Sequence, residues 1–167
     1  EALSSSRQDP YVRSHPLTRD RYRAAQGFAA AYPAKGPANP AADYWFARAR
    51  AKLGAFLQNP SYVLRRVDRN DRSEIATMTR AIAYHRRPDP RAARSAIDAL
   101  VQAKPQDPFY HDLRGQILLE SRAFGEAVSA YRRAASLAPS QPQILAGLGR
   151  ALLAVNGPGD REALSVL

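Results

Sequence analysis

The sequence has no cysteine, one methionine and one tryptophan, and no apolar run approaching the length of a membrane-spanning helix. Without cysteine there is no disulfide and no thiolate metal site, while the redox compartment stays open, since cysteine-free chains occur on either side of a membrane. A bilayer span needs about 18 or more largely apolar residues, so none is expected. Strand signals are equally scarce: there is no sustained apolar/polar alternation, and clusters of Val, Ile and Thr are few. Histidine occurs only at His15, His85 and His111, too scattered to form the HExxH pair that holds zinc on one helix face. A Gly-rich phosphate loop, a GxSxG elbow and a cysteine nucleophile are missing as well, so neither autonomous catalysis nor a bound cofactor is expected of this chain. It opens at Glu1 with neither an initiator Met nor a signal-peptide pattern, which reads as a processed or cut chain.

Arginine and proline are what the chain has in quantity. Its 167 residues suit one domain or a short repeat array and suffice for a packed core. The net charge of +10 is unevenly placed, with 19 basic and 9 acidic residues up to residue 105 but 6 of each from 106 to 167. A basic excess suggests nucleic acid or anionic lipid. Here, however, the cations are mostly Arg spread along helical patterns, including Arg65, Arg66, Arg69 and Arg72, with no Lys block and no Gly-flanked aromatic motif. The pattern favours a solvated Arg-rich surface over a nucleic-acid interface.

Proline marks where helices begin. Asn39-Pro40, Asn59-Pro60, Asp89-Pro90 and Asp107-Pro108 each set a capping side chain before a residue whose missing N–H costs nothing in a first turn, and Gln141-Pro142 adds a fifth start. The predicted fold class is all-α. A polar segment over 1–16 leads to Thr18, read as the N-cap of a helix over 18–31, and 32–40 is a Pro/Gly linker. From Pro40 a second helix carries Phe46, Ala49, Leu53 and Phe56/Leu57 at three-and-four spacing, a stripe predicted to face the core, with Trp45 off it against a neighbouring element. A short helix over 60–67 and a loop over 68–73 follow.

The remainder repeats. Pro105 and Pro139 lie 34 residues apart, and the segments ending on them align without gaps. Gly115, Ala127, Tyr131, Ala134 and Pro139 in one copy correspond to Ala81, Ala93, Ile97, Leu100 and Pro105 in the other. This spacing resembles the tetratricopeptide (TPR) pattern, in which small residues let two helices approach, an aromatic packs toward the next repeat and Pro ends the pair. A third copy starts at Pro142, and Asn156-Gly157-Pro158-Gly159 is predicted to lengthen its turn by about two residues. The expected organisation is 1–39, connecting helices over 40–73, and an array over 74–167 with units 74–107, 108–141 and a partial 142–167. Such arrays stack antiparallel helix pairs into a right-handed superhelix whose first helices line a concave binding face. By resemblance, the groove-lining candidates are Met78, Ile82, His85, Arg86, Phe109, Asp112, Gln116, Glu120, Gln143 and Arg150. They lack the Lys/Asn/Arg cluster that clamps a C-terminal carboxylate. The incomplete third unit leaves Leu145, Leu148 and Leu152 to be covered, either by residues 160–167 or by self-association.

A second resemblance covers nearly the whole chain. Residues 9–26, beginning Asp-Pro-Tyr-Val-Arg-Ser-His-Pro-Leu, resemble the stretch closing the catalytic domain in a family of bacterial HExxH zinc metallopeptidases, peptidase family M-48, whose TPR-bearing members continue into repeats. Ala51-Lys52-Leu53-Gly54-Ala55-Phe56-Leu57, Arg80 to Tyr84 and Asp107 to Gln116 are similar too. The resemblance implies that 1–39 is the end of a peptidase domain and its linker, that the zinc site lies upstream of Glu1 in the same polypeptide, and that His15 is a candidate neighbour of that metal. It implies a periplasmic or membrane-associated envelope protein, with the array recruiting protein or unfolded polypeptide clients for quality control or assembly. The alternatives are a free-standing TPR adaptor and, behind it, a basic nucleic-acid-binding helical protein.

Overall fold

The structure, a computed structural model, describes residues 18–32, 38–157 and 160–166. Among them there are nine helices and no strand, as expected from the missing alternation. The segment around His15 and the turn residues Pro158 and Gly159 lie outside the described residues. No helix among those described is long and apolar enough to cross a membrane.

The chain divides into two compact units, residues 1–40 and 41–167. In the first, α1 spans Thr18–Ala31, so Thr18 already belongs to the helix it was predicted to cap. Its described side chains are exposed; Phe28 and Tyr32 stack with centroids 6.3 Å apart, and Gln26 donates to the Tyr22 hydroxyl at 3.0 Å.

The second unit comprises α2 (Pro40–Leu57, beginning at the boundary), α3 (Pro60–Arg66), α4 (Glu74–Arg86), α5 (Pro90–Ala103), α6 (Pro108–Glu120), α7 (Phe124–Leu137), α8 (Pro142–Asn156) and α9 (Arg161–Val166). Capping explains the starts: Asn59 accepts from the Ser61 and Tyr62 N–H groups, Ser73 from Ala76, Asp89 from Ala92, and Asp107 from Phe109 and Tyr110. The order is periodic. Helices α4, α6 and α8 start at 74, 108 and 142, steps of 34; α4 and α6 have 13 residues each, and α5 and α7 have 14 each. Hydrogen bonds recur on the same step, Asp89 N–H to the Tyr84 carbonyl and Ala123 N–H to the Leu118 carbonyl, both at 2.9 Å. From α3 onward each helix packs on the next, and α6 also meets α8, an arrangement consistent with a helical repeat.

The period breaks in the third pair, where α8 has 15 residues and α9 starts at Arg161 rather than at 158. Two of the three extra residues therefore extend the helix, where the sequence had suggested a longer turn. Residues 161–166 pack on α8, with Ala163 fully buried and Val166 against the cluster holding Leu148 and Leu152. Gly115 and Gly147 both face the buried ring of Tyr131. A Cβ on either would come within 2.7 Å of the Tyr131 ring, so the tyrosine fills a slot that only hydrogen leaves open.

Helix α2 contradicts the apolar stripe. Phe46, Leu53 and Leu57 are 68%, 60% and 74% exposed and Ala49 is exposed, while Phe56 is half-buried. The face turned inward carries Arg48 and Ala55, with Ala51 and Phe56 packed on the core beside Met78 and Ile82. Polar pairing of Arg48 with Glu74 and Asp107, at the starts of α4 and α6, goes with this rotation.

Candidate interaction face on the first helices

Arg48 is 5% exposed and forms a fork–fork pair with Asp107, Nη1 to Oδ2 at 2.5 Å and Nη2 to Oδ1 at 2.9 Å. Asp107 also caps α6, so one carboxylate ties α2 to the start of the second pair. Glu74, first residue of α4, accepts from the Tyr44 and Tyr110 hydroxyls, both at 2.5 Å, and Lys104 lies 3.4 Å away. Arg48 stands 4.0 Å from the Tyr110 ring centroid and 5.0 Å from that of Trp45. Burial pulls the Arg48 guanidinium down, but the bonded Asp107 carboxylate more than reverses it and holds Arg48 above its ordinary range. Burial likewise opposes ionisation of Glu74, yet donation from Tyr110 and Tyr44 and the Lys104 charge leave its carboxyl below the usual value. Burial, and then donation to Glu74, push the Tyr110 hydroxyl up.

This cluster was not among the sequence candidates. An Arg on a helix with an apolar stripe elsewhere reads as solvated, and its partners lie 26 and 59 positions away. Of its members, sequence spacing picked out the capping aspartate at 107 and, as a residue off the stripe, Trp45. Trp45 packs edge-on against Phe109, centroids 6.1 Å apart, as its place off the stripe suggested. Trp45, Phe109, Met78 and Leu113 wall a small cavity of about 170 Å³ beside Arg48.

Eight of the ten predicted groove residues fall into three groups, with Phe109 against Trp45 and Gln143 apart from them. Met78 and Ile82, 1% and 0% exposed, are core residues packed under α2, a correction to their assignment as groove lining. Arg86 is likewise engaged: its guanidinium donates to the Gln58 carbonyl and, at 3.4 Å, to that of Ala55, closing the carbonyl end of α2. The third group forms a polar row across three helices. His85 Nε2 on α4 is 2.6 Å from Glu120 Oε2 on α6, and Gln116 donates to the other Glu120 oxygen at 3.0 Å. Asp112 is half-buried on α6, and burial raises its carboxyl above the usual value against the opposing charges of Lys52 and Arg150. Gln143 sits apart in the first turn of α8, exposed and donating to Gln141 at 3.2 Å. His111, which the groove reading did not use, is a core histidine whose Nε2 is 3.0 Å from the Pro105 carbonyl.

Chemically, the row offers hydrogen-bonding groups of both kinds on a helical face, with one carboxyl between two cations. No nucleophile is paired with a base in it, and among the described residues no three His, Asp or Glu side chains converge as metal ligands do. Compared with known proteins, the chain matches no family model, and no curated protein matches it significantly.

Proposed function

We propose that this chain is a noncatalytic protein-interaction region built from TPR-type helix pairs stacked as a right-handed superhelix. The observation that carries the reading is the 34-residue recurrence of helix starts at 74, 108 and 142, with helix lengths and turn hydrogen bonds repeating over the first two pairs, residues 74–137. Repeats of this length rarely stand alone; they stack to bury a continuous core and present an extended face for binding. In this reading the client lies along the polar row of His85, Asp112, Gln116, Glu120 and Arg150, with Gln143 and Phe109 at its margins. Helix α2 occupies the part of the face above Met78 and Ile82.

The His-Pro-Leu segment extends the proposal: the chain belongs to a larger zinc metallopeptidase of the cell envelope, its HExxH residues upstream, acting in envelope protein quality control or assembly. Zinc would be held there, and the part of the present residues is to bind and tether. Tethering raises the concentration of a client at the cleaving domain, so weak affinity suffices.

Two measurements test this. A reduced, alkylated unfolded polypeptide should bind the full chain, and Glu120→Lys or Arg150→Glu should each weaken that binding about fivefold, roughly 1 kcal/mol. Unchanged affinity in both variants rules out the row. In the parent, deleting residues 74–167 should impair client cleavage; undiminished cleavage, or an upstream reading frame lacking HExxH, rules out the recruiting role.

A further inference from the structure

A wide cleft of about 1270 Å³ runs between α3, α4 and α5, and neither Met78 nor Ile82 is among its lining. Its shape follows from side-chain size. On α5 five of the six residues facing it, Ala92, Ser95, Ala96, Ala99 and Ala103, carry small side chains that leave a channel open beside α4. The floor is partly apolar, with Leu64, Val67, Tyr84 and Leu100 reaching the core.

The walls are cationic: Arg65, Arg69, Arg72, Arg80, Arg87 and Lys104 line the cleft, and Glu74 is the one carboxylate residue among its lining. Glu74 is already engaged by two tyrosines and Lys104. Arg80 is occupied in holding the 68–73 loop, donating to the Asp68 and Asp71 carbonyls at 3.2 and 2.7 Å, and Arg87 lies over the Tyr84 ring. Arg65, Arg69 and Arg72 have no ion-pair partner among the described residues. Gathering so many like charges around an apolar floor is unfavourable until an anion joins them, and walls of one sign focus the field into the channel.

We propose that this cleft is a second docking site, and that its occupant is an acidic peptide segment with interspersed apolar side chains. Carboxylates would pair with Arg65, Arg69 and Arg72, while apolar side chains rest on Leu64, Ala96 and Ala99. Nucleic acid fits less well. Tyr84, the one aromatic among its lining residues, packs on the core and has Arg87 over its ring, which leaves no stacking platform for bases, whereas the apolar floor suits aliphatic side chains. The site is independent of the polar row and of the metallopeptidase parent.

Fluorescence anisotropy with short labelled peptides on the full chain tests it. A Glu-rich peptide with Leu at intervals should bind, and a Glu/Ser peptide of equal charge should bind about fivefold more weakly. The double variant Arg69→Ala/Arg72→Ala should weaken the Glu/Leu complex about tenfold. Ala99→Glu, at an exposed position with high helix propensity, should do the same by placing an anion on the floor. Arg133→Ala, on α7, should bind like the parent chain. Binding indifferent to both cleft variants overturns the proposal. So does a single-stranded oligonucleotide that binds more tightly than the peptide at the same salt, or equal affinity for the Glu/Leu and Glu/Ser peptides. Glu120→Lys should leave cleft binding intact, which separates failure of this site from failure of the polar row.

Discussion

At the scale of single residues, Arg48 and Asp112 show how burial makes a charge matter. The Arg48–Asp107 pair is buried, so removing one partner strands the other. Arg48→Met is expected to cost about 3 kcal/mol in urea unfolding. Adding Asp107→Asn, which keeps the cap oxygen but removes the stranded charge, should recover part of that loss; a strictly additive double variant would show that the two residues do not communicate. Asp112 carries the opposite sign. Its carboxyl is raised in the folded chain, so its contribution is fully present below the ordinary value of 3.8 and is lost as pH rises through the folded value. Asp112→Asn should therefore be more stable than the parent chain at pH 7 and lose that advantage in acid. Glu74, held low, contributes above its ordinary 4.5 and loses that contribution as pH falls, so the two groups bend the pH profile in opposite directions.

The helices make their own predictions. Positions 73, 107 and 141 are equivalent in the period, yet only Ser73 and Asp107 cap by a side chain, while Gln141 makes no cap bond. Gln141→Asp should stabilise the chain by about 1 kcal/mol in thermal or urea unfolding, and no gain would mean that α8 is fixed by packing alone. The Tyr131 slot tests how α6, α7 and α8 meet. Gly147→Ala improves helix propensity by about 1 kcal/mol, but the added methyl collides with a buried ring, and a net destabilisation of about 1–3 kcal/mol is expected. Paired with Tyr131→Leu, the same alanine should cost less than the sum of the single variants. Period and capping were legible from Asn, Asp and Pro at fixed offsets, and Gly115 with Tyr131 from the repeat alignment. Gly147 was not, because it has no counterpart of its type in the first two units, where Thr79 and Leu113 stand.

Over the whole molecule, the short helix α9 covers the hydrophobic face that α7 and α8 share. Truncation after Asn156 removes Ala163 and Val166 from the cluster around Leu148 and Leu152 and the Arg132–Glu162 pair at 2.7 Å. We expect a loss of about 2 kcal/mol in unfolding free energy, from the apolar surface returned to water. An unchanged denaturation midpoint would mean that α9 adds nothing to the fold. The charge of +10 also takes on shape at this scale, because six of its cations converge on one cleft, Arg65 from α3, Arg80 from α4, Arg69 and Arg72 from the loop between them, and Arg87 and Lys104 from just past the ends of α4 and α5.

The sequence by itself determined that the chain is helical, where most helices start and stop, and how the 34-residue unit recurs. Those properties depend on local hydrogen bonding and on the spacing of small and large side chains, which neighbouring residues dictate. Tertiary structure decided which face of α2 turns inward, that Met78 and Ile82 lie under it, and that scattered arginines line one channel. Each depends on partners tens of residues away: a buried guanidinium needs a carboxylate to pair with, and Arg48 finds Asp107 only once α2 packs against the helix pairs.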